Sequence, residues 1–167
     1  ATAGNIPASL TGSSLLPLLQ QQSETREESR RFNVGVGGWN TTTPAFASHN
    51  FHSLYAYYPM RAMRGNQYRL IHNLVHHASY AILEDVYVTD TWHELQSRGE
   101  QGKPTGLVYD YHSYMYRPEY QLFDITKDPL CLNNLAYNSK YATVFESMKQ
   151  DLMKWRTETH DPWMPCS

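Results

Sequence analysis

The sequence predicts an α+β fold in which helices cover one face of a small antiparallel sheet. Three features carry that expectation. Two alternating segments flank a Gly65-Asn66 turn, a short helical stretch and one further strand follow, and a long amphipathic helix closes the chain.

Residues 1–31 read as a connecting segment. It holds an apolar run at Leu15, Leu16, Leu18 and Leu19, with Pro17 placed where a short helix tolerates it. The polar stretch QQQSETREESRR then forms an exposed connection. Residues 32–167 read as the α+β domain. Gly alternates with Phe32, Val34 and Val36 ahead of Thr-Pro-Ala-Phe, which predicts one strand or two short ones over residues 32–48.

Leu54–Arg64 and Gln67–Leu74 form a hairpin about Gly65-Asn66. In its second arm Tyr68, Leu70, His72 and Leu74 share one face, and Arg69, Ile71 and Asn73 the other. A short strand is expected near Val86–Val88. Thr91–Arg98 reads as a helix stopped by Gly99 in a C-cap role. Glu100–Gly106 is a loop, Tyr109–Tyr116 a strand or irregular, and Glu119–Ile125 a strand. In the closing helix Tyr141, Val144, Phe145, Met148, Leu152 and Trp155 recur at helical spacing, which marks core packing. Asn138 or Ser139 caps its start, and Pro162 ends any continuation.

With 167 residues and 41% hydrophobic content, the chain suits a single core, burying roughly 70% of its unfolded surface. A net charge of −2 supplies no field for nucleic acid or an anionic membrane. The longest apolar stretch, Leu15–Leu19, is too short to cross a bilayer. The 13 Tyr and 4 Trp build core and sheet faces, with a sugar-stacking surface as the sharper alternative. Asn40-Thr41-Thr42 is a glycosylation sequon, suited to the surface of a lysosomal or secreted protein. Cys131 and Cys166 make no disulfide framework; they pair together, pair outside the chain or stay free. The opening ATAGN lacks an initiating Met and a leader, which suggests a processed chain, a fragment or an incomplete record.

Some segments carry chemistry-bearing residue types. His72, His76 and His77 invite a metal reading. On a strand, however, His72 and His76 lie roughly 13 Å apart, too far for one ion unless the segment turns. Arg61, in YPMRAMR, is placed for a bidentate pair with a carboxylate that fixes the sheet to its neighbour, or for binding a substrate anion. In Asp124…Asp128-Pro129 a carboxylate caps the following turn; Asn134 bonds backbone and Leu135 anchors the core.

The run YRPEYQLFDITKDPLCLNNLA (Tyr116–Ala136) resembles the C-terminal signature of the sulfatase family, "ELYDL…DP.E..NLA". LTGSSLLPLL, YPMRAMR, RLIHNL and KWRTETHDPW are similar, in the same order, to segments of its sulfamidase members. The resemblance covers about Ile6 to Trp163 and implies a four-stranded antiparallel sheet against a C-terminal helix, docked on a larger catalytic domain. It implies a stretch of pocket wall in the loop FASHNFHSLYAYYPMR, with His49, His52 and Arg61 as residues meeting a sulfated sugar. Ser53 stands where relatives carry an acidic residue, and Cys131 where the family usually has Glu.

Sulfatase chemistry uses a formylglycine made from Cys or Ser in C/S-x-P-x-R and a calcium ion held by carboxylates. Neither Cys131 nor Cys166 nor any Ser stands in that pattern. The resemblance places nucleophile and calcium in a part of the protein before Ala1, so this chain alone is expected to be inactive. The second expectation is a stand-alone secreted binding or structural domain that self-associates to cover apolar surface.

Overall fold

The computed structural model describes residues 44–52 and 56–164. The chain divides at Trp39/Asn40, and these residues all belong to the second unit. The 1–31 connection, the strand expected from Phe32, the Asn40 sequon and Cys166 lie outside the described residues.

Four strands form one antiparallel sheet in sequence order: β1 (Ala45–His52), β2 (Ala56–Arg64), β3 (Tyr68–Asn73) and β4 (Tyr120–Asp124). Met63 pairs with Leu70, and Leu70 with Leu122, so one apolar row crosses the sheet. The closing helix, here α4 (Ala142–Glu158), lies across that row. Leu70, Leu122 and Leu152 are the fully buried centre, and Phe46, Tyr68, Tyr141, Val144, Phe145 and Trp155 pack around them. Every apolar position of the predicted stripe therefore meets the sheet. Asn138 caps the 3-10 turn Ser139–Tyr141 that leads into α4, its Oδ1 accepting from Lys140 N at 3.1 Å.

β2 is a central strand that contains Pro59, which lacks the N–H a ladder needs. A bulge solves this. His49 pairs with Met60 and Phe51 with Tyr57, so Tyr58 and Pro59 together face Asn50. The Pro59 carbonyl is used elsewhere, accepting from Leu74 N at 3.0 Å.

Between β3 and β4 the structure corrects three expectations. Residues near Val86–Val88 are not a strand; Glu84–Tyr87 form a helical turn, α1. Helix α2 runs from Asp90 to Glu100, N-capped by Thr89 Oγ1, so Gly99 sits inside it and is not its cap. Gly102, at φ 67°, takes the left-handed position, and Lys103 N to Arg98 O with Gly102 N to Gly99 O completes a Schellman turn. Gly99 is there for space, since a Cβ on it would overlap the Tyr111 side chain. Tyr109–Tyr116 is no strand either: Tyr111–Met115 is a short helix, α3, capped by Asp110.

This segment reaches the sheet face opposite α4, where Tyr80 packs edge-on against Tyr58 and Arg117 stacks over Tyr80 at 3.7 Å. Beyond β4 the Asp-Pro turn forms as expected. Asp124 Oδ1 accepts from Thr126 N and Oγ1, and Asp128 Oδ2 from Asn133 N at 2.7 Å. Asn134 then finishes the sheet edge: Oδ1 accepts from Leu122 N and Ala136 N while Nδ2 donates to Tyr120 O. Among the described residues no helix is long and apolar enough to cross a membrane.

Candidate functional site

The end of the sheet where β1 meets β2 gathers the residues singled out in the sequence, in a different setting from the one expected. His49 and His52 are not in a loop. Both are ladder positions of β1, paired with Met60 and Ala56, and the connection shrinks to residues 53–55, outside the described set. The resemblance implied a loop over this stretch; pairing with β2 makes it a strand instead.

Arg61 is 2% exposed and its guanidinium is fully engaged with this corner. Nε and Nη2 grip Asp161 as a fork, at 2.8 and 2.7 Å. Nη1 donates to Asn50 Oδ1 and Met60 O, both at 2.8 Å, and to His49 O at 3.2 Å. The carboxylate partner comes from 100 residues away, and the pairing needs a particular chain end to α4. His160, at φ 52°, takes the left-handed position, and the bonds Asp161 N to Arg156 O and His160 N to Thr157 O turn the chain. This Schellman turn, formed with a histidine in place of the usual glycine, ends α4 before Pro162 is reached.

Asp161 also accepts from Arg156 Nε at 2.7 Å, and Arg156 Nη2 donates to Trp163 O at 2.8 Å. Burial works to raise the Asp161 pKa, but the bonds from Arg61 and Arg156 outweigh it and hold the carboxyl below the usual carboxylate range. Two buried cations share one anion, which leaves one positive charge in excess. Carbonyl oxygens, Asn50 and the Trp163 ring, 5.0 Å from the Arg61 guanidinium carbon, spread that charge. Trp163 in turn donates from Nε1 to the Tyr57 hydroxyl at 2.7 Å, and Tyr57 packs on the exposed Phe51 ring.

His72 lies behind Arg156, stacked on Tyr120 at 4.3 Å. Arg156 Nη1 faces its Nδ1 at 3.5 Å, so that nitrogen is the acceptor and Nε2 carries the proton toward Glu119, 3.6 Å away. Burial first, and then the Arg156 charge, lower its pKa to about 4, against the raising effect of Glu119. It is a neutral core histidine. His76 and His77 follow in a turn, their rings 5.7 Å apart and edge-on. Among the described residues no three His, Cys, Asp or Glu side chains gather to hold a metal. These residues do not fit calcium.

His49 Nδ1 lies 3.2 Å from Tyr58 O and donates to it, which leaves Nε2 for an outside group, and His52 is exposed. Three apart on an unbroken β1, His49 and His52 point to opposite faces of the sheet, so the structure does not bring the two imidazoles together on one anion. Sequence reasoning named Arg61 but missed Asp161 and Asn50 as its partners, and Arg156 as the second cation on Asp161. The signal was present in His160-Asp161-Pro162-Trp163, whose role only the tertiary contact reveals.

A four-stranded antiparallel sheet with a closing helix, and a buried Arg–Asp–Arg clasp at one corner, define the class as a small α+β domain. The comparisons agree. No family model matches this chain. It is similar to N-sulphoglucosamine sulphohydrolase of Homo sapiens, with 35% identity over 164 residues, covering 98% of this chain and 29% of that protein. Two solved structures share the fold. One is a 2-O GAG sulfatase, with a TM-score of 0.51 and 18% identity over 95% of this chain and 22% of that one. The other is a protein in complex with its substrate D-glucosamine-2-N,6-O-disulfate, with a TM-score of 0.52 and 16% identity over 97% of this chain and 23% of that one. The chain belongs to the sulfatase family, with its sequence likeness to sulfamidase, and it spans less than a third of that relative's length.

Proposed function

We propose that this chain is the non-nucleophile part of a sulfamidase-like sulfatase that hydrolyses N-sulfate groups of heparan-type glycosaminoglycan. It supplies scaffold and one wall of the substrate pocket. The observation that carries the reading is the likeness to N-sulphoglucosamine sulphohydrolase across 98% of the chain. The absence of C/S-x-P-x-R from the 167 residues fits a division of labour in which the nucleophile and calcium belong to a catalytic domain. In this reading His49 Nε2 and His52, on opposite faces of β1, each meet sulfate or sugar hydroxyls. Arg61 acts from below, through the positive potential of its cluster. A lysosomal or secreted address, with glycan on Asn40, completes the reading.

The test pairs this chain with a sulfatase catalytic domain and measures sulfamate release from an N-sulfated glucosamine. The pair is expected to be active and the chain alone silent. Replacing His49 and His52 by Ala should raise KM about tenfold, the scale of one lost charged hydrogen bond. Activity of the chain alone, or a KM unmoved by both substitutions, would sink the proposal.

A second reading is favoured by Val108 and Leu130, 77% and 74% exposed. Such surface suits a stand-alone domain that self-associates. A homo-oligomer that fails to bind the catalytic domain would establish it.

A further inference from the structure

The sheet face opposite α4 carries a concavity of about 430 Å³, floored by Ile71 and Phe123 and walled by Tyr109, Tyr114 and Leu132. That volume lies in the range of small-molecule sites. Its lining includes two arginines, Arg69 and Arg117, and no carboxylate. Elsewhere in the described residues, buried arginine is clasped by Asp161. Here neither guanidinium meets an acid among the described residues. Arg69 Nη1 lies only 3.7 Å from Cys131 Sγ, and Arg117 rests on the Tyr80 ring with Nη1 3.9 Å from Met60 Sδ.

The other polar groups of the wall are largely occupied. Gln121 Oε1 accepts from Asn73, Asn134 is committed to the β4 backbone, and the Tyr109 hydroxyl donates to Cys131 O. A polyhydroxylated sugar would find few partners. A flat apolar body with one anionic group would find rings on its sides and guanidinium groups at its head.

We propose that this concavity binds a small organic anion, an aromatic or apolar body bearing a carboxylate or sulfonate. The site is separate from the β1–β2 corner, and the inference does not rest on the sulfatase reading.

The test uses the whole chain with Cys166→Ser, which leaves Cys131, on the pocket wall, as a single thiol reporter. Naphthalene-2-sulfonate and 2-naphthoate serve as probes, with naphthalene-2-carboxamide as the neutral isostere. Both anions should bind by calorimetry and slow alkylation of Cys131 by iodoacetamide several-fold, and the amide should do neither. Arg69→Gln and Arg117→Gln should each weaken binding about tenfold, the scale of one charge-assisted hydrogen bond. Ser113→Trp, a change at an exposed position on α3, should abolish binding while leaving the circular dichroism unchanged. Equal binding of amide and anion overturns the proposal. So does undiminished binding by Ser113→Trp, or an anion that binds without protecting Cys131. N-sulfoglucosamine is included as a further ligand: if it competes with the naphthyl anions at this pocket, the apolar-anion assignment also fails.

Discussion

Asp161 is one carboxylate serving two buried guanidinium groups, and its removal would strand both. Breaking a buried ion pair from one side costs more than the pair contributes, because the remaining charge stays desolvated. Asp161→Ala is therefore expected to destabilise the fold by about 3–5 kcal/mol in urea unfolding. Arg61→Lys should cost less, since it keeps the charge and loses the fork. His72 gives a separate expectation for pH. Unfolded, its imidazole takes a proton near 6.5; folded, only near 4. Between those values acid protonates the unfolded chain alone, so stability is constant above the window and falls through it as pH drops. The loss totals about 3 kcal/mol. His72→Gln should flatten the curve over that window. Asp161, held below the ordinary carboxylate range, loses its contribution only at lower pH. Unfolding measured at pH 7, 5.5 and 4 would separate the two.

Among the elements, α4 shows what periodicity can and cannot disclose. The stripe from Tyr141 to Trp155 was legible because a helix on a sheet must bury one side, and Leu152→Ala should cost about 2–5 kcal/mol by opening a cavity. The helix end was not legible. Its left-handed residue is His160, which gives none of the signal that Gly gives at a C-cap. The reverse error occurred at Gly99, which looked like a cap and proved to be a place where Tyr111 touches backbone. Gly99→Ala should destabilise by about 1–3 kcal/mol through overpacking, with Tyr111→Gly relieving part of it in a double-mutant cycle. Gly102→Ala, strained at φ 67° and clear of neighbours, should cost about 1 kcal/mol.

At the scale of the whole molecule, the apolar surface at Val108 and Leu130 is expected to lie in an interface. Changing both to Ser should leave the unfolding free energy within about 0.5 kcal/mol while weakening association, with a catalytic domain in the first reading or with a second copy in the alternative, seen by sedimentation. The sequence by itself determined the fold class, the hairpin about Gly65-Asn66, the core stripe and the family, because these rest on local period, turn chemistry and short motifs read in order. Only the tertiary structure decided that His49 and His52 sit on a strand, that Asp161 joins Arg61 to Arg156, and that Tyr111–Met115 is a helix. Those outcomes depend on groups far apart along the chain whose burial and pairing energies exceed the preference of any single segment.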